Sequence, residues 1–184
     1  MSEKKESNSV ELIKPDDFIT SKLEVIIKNA YDPASPPESS GVSRSEFMNQ
    51  VMPIKNMKPG SGDKHRDKVR LIPNEDDAHI LLADVMLYGG FDISSNSIVY
   101  PPMSTMPWHT NSNNKGTRTY YTYTESEGLF RWVDPNTGIT HTDVDNIGWT
   151  CRSFYIREVE PFLWHTIWSE GVRFAFGFNT HNKD

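Results

Sequence analysis

Two histidines stand in matching aromatic settings, Pro107-Trp108-His109-Thr110-Asn111 and, 56 residues later, Leu163-Trp164-His165-Thr166-Ile167. Eight residues beyond the second, Arg173 interrupts the apolar run Gly171-Val172-Arg173-Phe174-Ala175-Phe176-Gly177-Phe178. Two imidazoles on separate strands suit a divalent transition metal. A strand-borne guanidinium suits a carboxylate, which its planar fork meets with two parallel hydrogen bonds. The expectation is an Fe(II) site beside a carboxylate-binding arginine. Such sites commonly add one carboxylate to the two histidines and leave three positions open. The position two residues after His109, where that carboxylate is expected, holds Asn111. An amide oxygen is neutral and a weaker ligand. Three arrangements stay open: Asn111 ligates through its oxygen, it stands behind a metal held by two histidines, or the site holds no metal.

Strand alternation puts Arg173, Ala175 and Gly177 on one face and Val172, Phe174, Phe176 and Phe178 on the other. An arginine pointing inward without a partner is costly, and its small neighbours leave room for a ligand. Arg118, nine residues after His109, shares a face with Tyr120, Thr122 and Thr124 and is a candidate for a second carboxylate.

Each residue also has a plainer reading. A histidine flanked by aromatics commonly packs in a core, and a strand arginine commonly pairs with an acid. His141-Thr142-Asp143 offers a rival ligand set, His141, Asp143 and His165. It lies beside the turn Asp134-Pro135-Asn136-Thr137-Gly138, and only 22 residues separate Asp143 from His165, so a hairpin edge is expected there instead. Trp108, Trp132, Trp149, Trp164 and Trp168 read first as core, as do Tyr100, Tyr120 and Tyr121. Cys151 reads as a buried small hydrophobe with no basic cluster to activate it. His181 is expected at the surface.

A chain of 184 residues suits one core. Residues 1–9 read as a disordered tail and 10–184 as a single domain, helical over 14–90 and strand-rich over 91–179. The net charge is -6, and the only basic cluster is Lys64-His65-Arg66-Asp67-Lys68-Val69-Arg70, so nucleic-acid binding has no support at the level of the whole chain. One cysteine excludes an intrachain disulfide and a thiolate metal cluster. The polar N-terminus and the lack of a long apolar run predict neither a leader peptide nor a membrane span; a cytoplasmic setting, that of the host if the protein is viral, is expected.

The positioning elements are legible in outline. Lys14-Pro15-Asp16-Asp17 starts a helix carrying Phe18, Ile19, Leu23, Ile26 and Ile27 and ending near Asn29-Ala30. Ser43-Arg44-Ser45-Glu46 opens a short helix with Phe47, Val51 and Met52, residues 53–68 read as a loop, and Asp76-Asp77 precedes a helix over Ala78–Tyr88. Strands are predicted at 97–100, 117–124, 129–133, 139–142, 149–156, 162–167 and 172–178. Helices followed by a set of short strands predict an α+β domain built on an antiparallel double-sheet jelly roll.

The segments Trp108-His109-Thr110-Asn111-Ser112-Asn113-Asn114 to Arg118 and Leu163-Trp164-His165-Thr166-Ile167-Trp168 to Gly171-Val172-Arg173 resemble the double-stranded β-helix superfamily of Fe(II)/2-oxoglutarate oxygenases, over roughly residues 97–178. The His109-to-Arg118 spacing is similar to that of the aspartyl/asparaginyl β-hydroxylase branch, in which the carboxylate ligand is missing and two histidines hold iron. The chain is also similar to small oxygenase-like proteins encoded by bacteriophages. The resemblance implies N-terminal helices on a double-stranded β-helix, Fe(II) on His109 and His165 with Asn111 as an optional third ligand, and 2-oxoglutarate anchored by Arg173, with Arg118 for its other carboxylate. The charges of Fe(II) and the 2-oxoglutarate dianion cancel, so a third protein anion is not required. The implied reaction is dioxygen-dependent hydroxylation of a C–H bond in a peptide side chain or small molecule. Two other readings stand beside it. One is a non-catalytic jelly roll, a structural, binding or viral component with a degenerate site, favoured by Asn111. The other is a cupin-type binder of small acids or sugars, disfavoured by the lack of a His-x-His-Glu cluster.

Overall fold

In the computed structural model, residues 9–52, 70–71 and 76–181 are described. The loop expected at 53–68 lies outside them, as does most of the N-terminal tail. Asp16 caps helix α1 (Asp17–Ala30), its carboxylate accepting from the amides of Phe18 at 2.9 Å and Ile19 at 3.1 Å. Ser43 and Glu46 form a reciprocal capping box that starts α2 (Arg44–Asn49). This helix stops before Val51, which is exposed rather than packed. Helix α3 spans Asp76–Gly89 and is tied to α1 by the Lys22–Asp84 ion pair at 2.8 Å.

Among the described residues the strands form two antiparallel sheets. Numbered along the chain they are β1 (Glu11–Ile13), β2 (Arg70–Leu71), β3 (Ile93–Tyr100), β4 (Ser104–His109), β5 (Gly116–Thr124), β6 (Gly128–Val133), β7 (Thr140–Asp145), β8 (Gly148–Ile156), β9 (His165–Ser169) and β10 (Arg173–Thr180). The larger sheet has the order β1-β8-β5-β10-β3-β2, and the smaller β4-β9-β6-β7. The alternation in β10 divides its side chains as its sequence predicts. Phe174, Phe176 and Phe178 pack under α1 and α3 with Leu23, Ile26, Leu82 and Val85, while Ala175 faces the other way, into the space between the sheets. That inner layer joins Ile98, Tyr100, Tyr120 and Phe154 of the larger sheet to Met106, Phe130, Trp132 and Ile167 of the smaller. The outer face of the smaller sheet is covered by the α2 segment, where Phe47 meets Leu129 and Trp168. Arg131 fastens that segment by donating to the carbonyls of Phe47, Met48 and Gln50 at 3.0–3.2 Å.

The elements missing from the sequence reading are β1, β2 and the start of β4. The first two have three and two residues, too few to show a period. The third contains Pro107, which argues against a regular strand, and the ladder does break there.

Candidate metal centre

A bulge makes the site possible. Met106 pairs with Ile167, but the next pair is His109 with His165, so β4 spends one more residue than β9 between the two. Simple alternation from the inward Met106 would aim Trp108 inward and His109 outward. The extra residue reverses this: His109 joins the inner face, and Trp108 packs beside Arg131.

Across β4-β9-β6-β7 the register reads His109, His165, Trp132 and His141 in one row. His109 and His165 are buried, their ring centroids 4.1 Å apart. Each places Nδ1 against the carbonyl two residues earlier, His109 on Pro107 at 2.7 Å and His165 on Leu163 at 3.4 Å. A carbonyl only accepts, so Nδ1 carries the proton in both rings and the lone pair of a neutral ring sits on Nε2. This is the tautomer that a metal on Nε2 requires, fixed by the backbone beforehand. Burial first, then neighbouring His109 and Arg118, hold His165 well below its ordinary pKa, which keeps it neutral. Phe130 stacks on His165 at 5.4 Å and Phe154 meets it edge-on at 5.3 Å.

Asn111 reaches the same place from a left-handed backbone, φ 56°. Its Nδ2 lies 3.2 Å from His165 Nε2 and 3.3 Å from the Tyr120 hydroxyl. To ligate, Asn111 must turn its amide so that Oδ1 replaces Nδ2. Arg118, fully buried, donates from Nη1 to Ser95 at 2.6 Å and to Tyr120 at 3.3 Å, and its Nε has no hydrogen-bond partner. Among the described residues no carboxylate pairs with it. Asn96 also donates to the Tyr120 hydroxyl, at 3.1 Å. Gly177 is the space in which these groups meet. A Cβ there would lie 2.8 Å from Tyr120 Cε1 and 3.3 Å from Arg118 Nη1. The room expected beside Arg173 is thus filled, at its Gly177 end, by Tyr120 and Arg118.

Arg173 faces inward as its alternation predicts, with its guanidinium over the Tyr100 ring. It is not alone. Its Nε donates to Asp145 at 2.8 Å, while its Nη1 has no partner. Arg152 Nη1 donates to the other oxygen of Asp145. Burial raises the pKa of Asp145, but the guanidinium groups of Arg173 and Arg152 outweigh it and hold the carboxyl below its usual range.

The rival pair lies elsewhere. His141 stacks on Trp132 at 4.3 Å and Asp143 accepts from Trp132 Nε1 at 3.3 Å, both on the edge strand of the β6–β7 hairpin. Cys151 is buried, its thiol pushed up to about 12 chiefly by burial, and His181 is exposed. Among the described residues no group of three or more His, Cys, Asp or Glu side chains is placed to hold a metal. The centre is therefore two imidazoles with an amide beside them.

The inner face, the bulged strand and the paired histidines can be set against known folds. A prolyl hydroxylase from Trichoplax adhaerens, solved in complex with a hypoxia inducible factor oxygen degradation domain peptide fragment, superposes with a TM-score of 0.54 at 14% identity, covering 96% of this chain and 86% of that one. The chain thus shares a jelly-roll-like fold with that protein. A Pseudomonas putida prolyl-4-hydroxylase aligns over 95% of this chain and 87% of its own at 11% identity, with a TM-score of 0.43 that adds no argument. No protein-family model matches the sequence, and no curated protein does. No helix among the described residues is long and apolar enough to cross a membrane.

Within this fold two inner-face residues escaped the sequence reading, Arg152 and Asp145. Arg152 sits in an apolar strand as Arg173 does, so the same cost of burying an unpaired charge would have singled it out. Asp145 ends a hairpin strand before Asn146, where an acid reads as turn chemistry.

Proposed function

We propose that the protein is an Fe(II)/2-oxoglutarate-dependent hydroxylase acting on a C–H bond of a peptide side chain or small molecule. One observation carries the reading: in a jelly-roll-like fold similar to that of a prolyl hydroxylase, two imidazoles are register partners on adjacent strands, with both Nδ1 atoms anchored on carbonyls, the tautomer that puts the lone pair of each neutral ring on Nε2. The donor set fits such a metal, since neutral imidazole suits Fe(II) and His165 is held neutral. His109 and His165 hold the metal, and Asn111 either joins them by turning its amide or stays hydrogen-bonded to Tyr120. When bound, the metal and 2-oxoglutarate supply dioxygen activation. The chain's own residues bind and orient. Arg173 offers its unpartnered Nη1 to the distal carboxylate, and Arg118 offers its unpartnered Nε to the other one. Phe130 and Phe154 wall His165 with apolar surface and exclude water from it. A peptide substrate is favoured by the Trichoplax neighbour, whose structure contains one.

The test is calorimetric titration of anaerobic, metal-stripped protein with Fe(II), with and without 2-oxoglutarate, against His165→Ala. Saturable binding that 2-oxoglutarate tightens and His165→Ala abolishes supports the reading. No binding up to millimolar Fe(II) removes it, and leaves a non-catalytic jelly roll.

A further inference from the structure

Among the described residues, four of the five tryptophans have a ring or a cation against the indole. Trp108 meets Arg131, Trp132 meets His141, Trp149 meets Tyr123 and Trp168 meets Phe47. Trp164, one residue before His165, has neither. It lines a cavity of about 420 Å³ with Phe162, Val133 and Pro135. Two carboxylates, Asp134 and Glu160, share the lining. Among the described residues no lysine or arginine lines the cavity, and none pairs with either carboxylate. The Asn136 amide donates to Asp134 at 2.8 Å and holds its carboxyl below the usual range, so it is ionised at neutral pH. An open indole face beside two unpaired anions suits a cation, and the apolar lining suits a cation carried on a methylene stem.

The cavity lies one strand level from the histidines. Val133 N donates to the Trp164 carbonyl at 2.9 Å, next to the register pair of Trp132 and His165. Gly128, whose cross-strand partner Asp145 holds Arg173, lies the other way along β6, four residues before Trp132. The cavity and the cosubstrate arginine are thus on opposite sides of the histidine row. Val133 alternates with the inward Trp132, so the cavity opens at the rim of the smaller sheet and not between the sheets. A side chain seated there is not the one that reaches the histidines. It belongs to a neighbouring residue of a chain that crosses the rim. The net charge of -6 draws a cationic chain toward the protein.

Resting on the function proposed above, we propose that the rim cavity holds an arginine or lysine side chain of a peptide substrate, next to the residue presented to the metal. Trp164 takes the cation on its ring, Asp134 and Glu160 neutralise it, and Phe162 and Val133 pack on its stem. The cavity is then the specificity element of the site, and the substrate class is a basic peptide.

The experiment is an NMR titration of metal-free full-length protein, following the indole N–H resonance of Trp164, assigned with Trp164→Phe. The probes are blocked pentapeptides with arginine or lysine between pairs of glycines. The control peptide carries citrulline, the neutral isostere of arginine. A basic peptide is expected to move the Trp164 resonance saturably. The citrulline peptide, and the arginine peptide on Asp134→Asn/Glu160→Gln, are each expected to bind about tenfold more weakly, the size that two partly exposed ion pairs carry. Asparagine keeps the acceptor for the Asn136 amide, so the turn stays. Citrulline binding as tightly as arginine, a double variant that binds like wild type, or no movement of the Trp164 resonance at millimolar basic peptide overturns the proposal. Mn(II) is then added to the peptide complex. It is expected to broaden the peptide's side-chain signals in wild type and not in His165→Ala. Wild type that binds Mn(II) without broadening the bound peptide overturns the substrate role. Wild type that binds the peptide but no Mn(II) overturns the hydroxylase function, and the substrate role with it, while cation binding in the cavity stands; that result is distinct from a cavity that binds no cation.

Discussion

Asn111 Nδ2 lies 3.2 Å from His165 Nε2, held there by a left-handed backbone at φ 56°. The amide thus donates to the very lone pair that a metal needs. A metal must displace this bond or turn the amide over. Asn111→Asp removes the competing donor and adds an anion at the position where two-histidine iron sites commonly carry their carboxylate. Aspartate tolerates the left-handed conformation nearly as well as asparagine, so the backbone stays. The expected result is Fe(II) binding tighter by on the order of tenfold, about 1.4 kcal/mol, in the absence of 2-oxoglutarate. Anaerobic calorimetry checks it, and unchanged affinity would show that residue 111 does not face the metal.

Gly177 should tolerate no side chain. A Cβ there falls 2.8 Å from Tyr120 and 2.9 Å from Ser95 Oγ, and 3.3 Å from Arg118 Nη1. Tyr120 and Arg118 are both buried, so neither moves aside freely. Gly177→Ala is expected to cost about 1–3 kcal/mol, the usual penalty for overpacking. It should also weaken 2-oxoglutarate more than it weakens Fe(II), because it disturbs Arg118 and leaves the histidine strands alone. Urea midpoints and paired titrations separate the two effects; equal weakening would mean that the strain spreads through the whole site.

The sequence predicted the helices well because their ends carry their own chemistry. Asp16 and the Ser43/Glu46 pair cap α1 and α2 where expected. Strand periodicity aimed Arg173 inward and Arg118 onto the face of Tyr120. Register was beyond its reach. The bulge that turns His109 inward is a property of β4 against β9, and residues 104–109 alternate without showing it. Asp145 was invisible for the same reason. Its partners lie seven residues away in Arg152 and 28 away in Arg173, on a different sheet, and only the stacking of the two sheets brings the three charges together.

Cys151 should be silent to thiol reagents while the protein is folded. Burial pushes its pKa up to about 12, and a thiol reacts as its thiolate. At pH 8 the fraction ionised is on the order of one in ten thousand in the folded protein, against roughly one in four for an unperturbed thiol of pKa near 8.5. Maleimide labelling at pH 8 is therefore expected to track unfolding in urea, with negligible modification in native buffer. Rapid labelling without urea would mean that β8 opens locally.

The Asp145 cluster should make stability fall on acidification in a way that a variant can reveal. Arg173 and Arg152 hold this carboxyl below the ordinary range despite its burial. A folded-state pKa below the unfolded one contributes stability that is fully present above the unfolded value, about 3.9 for aspartate, and is lost as pH falls through the folded value. Other carboxylates add to the total acid sensitivity, so the informative quantity is the difference between wild type and Arg152→Met/Asp145→Asn. At pH 7 the variant leaves Arg173 buried without its carboxylate, so it is expected to be less stable than the wild type by about 3–5 kcal/mol. Below about pH 4 the wild type alone must take a proton onto Asp145 or unfold, so its urea midpoint should fall relative to the variant's. Parallel curves over that range would mean that Asp145 is not ionised between the two arginines.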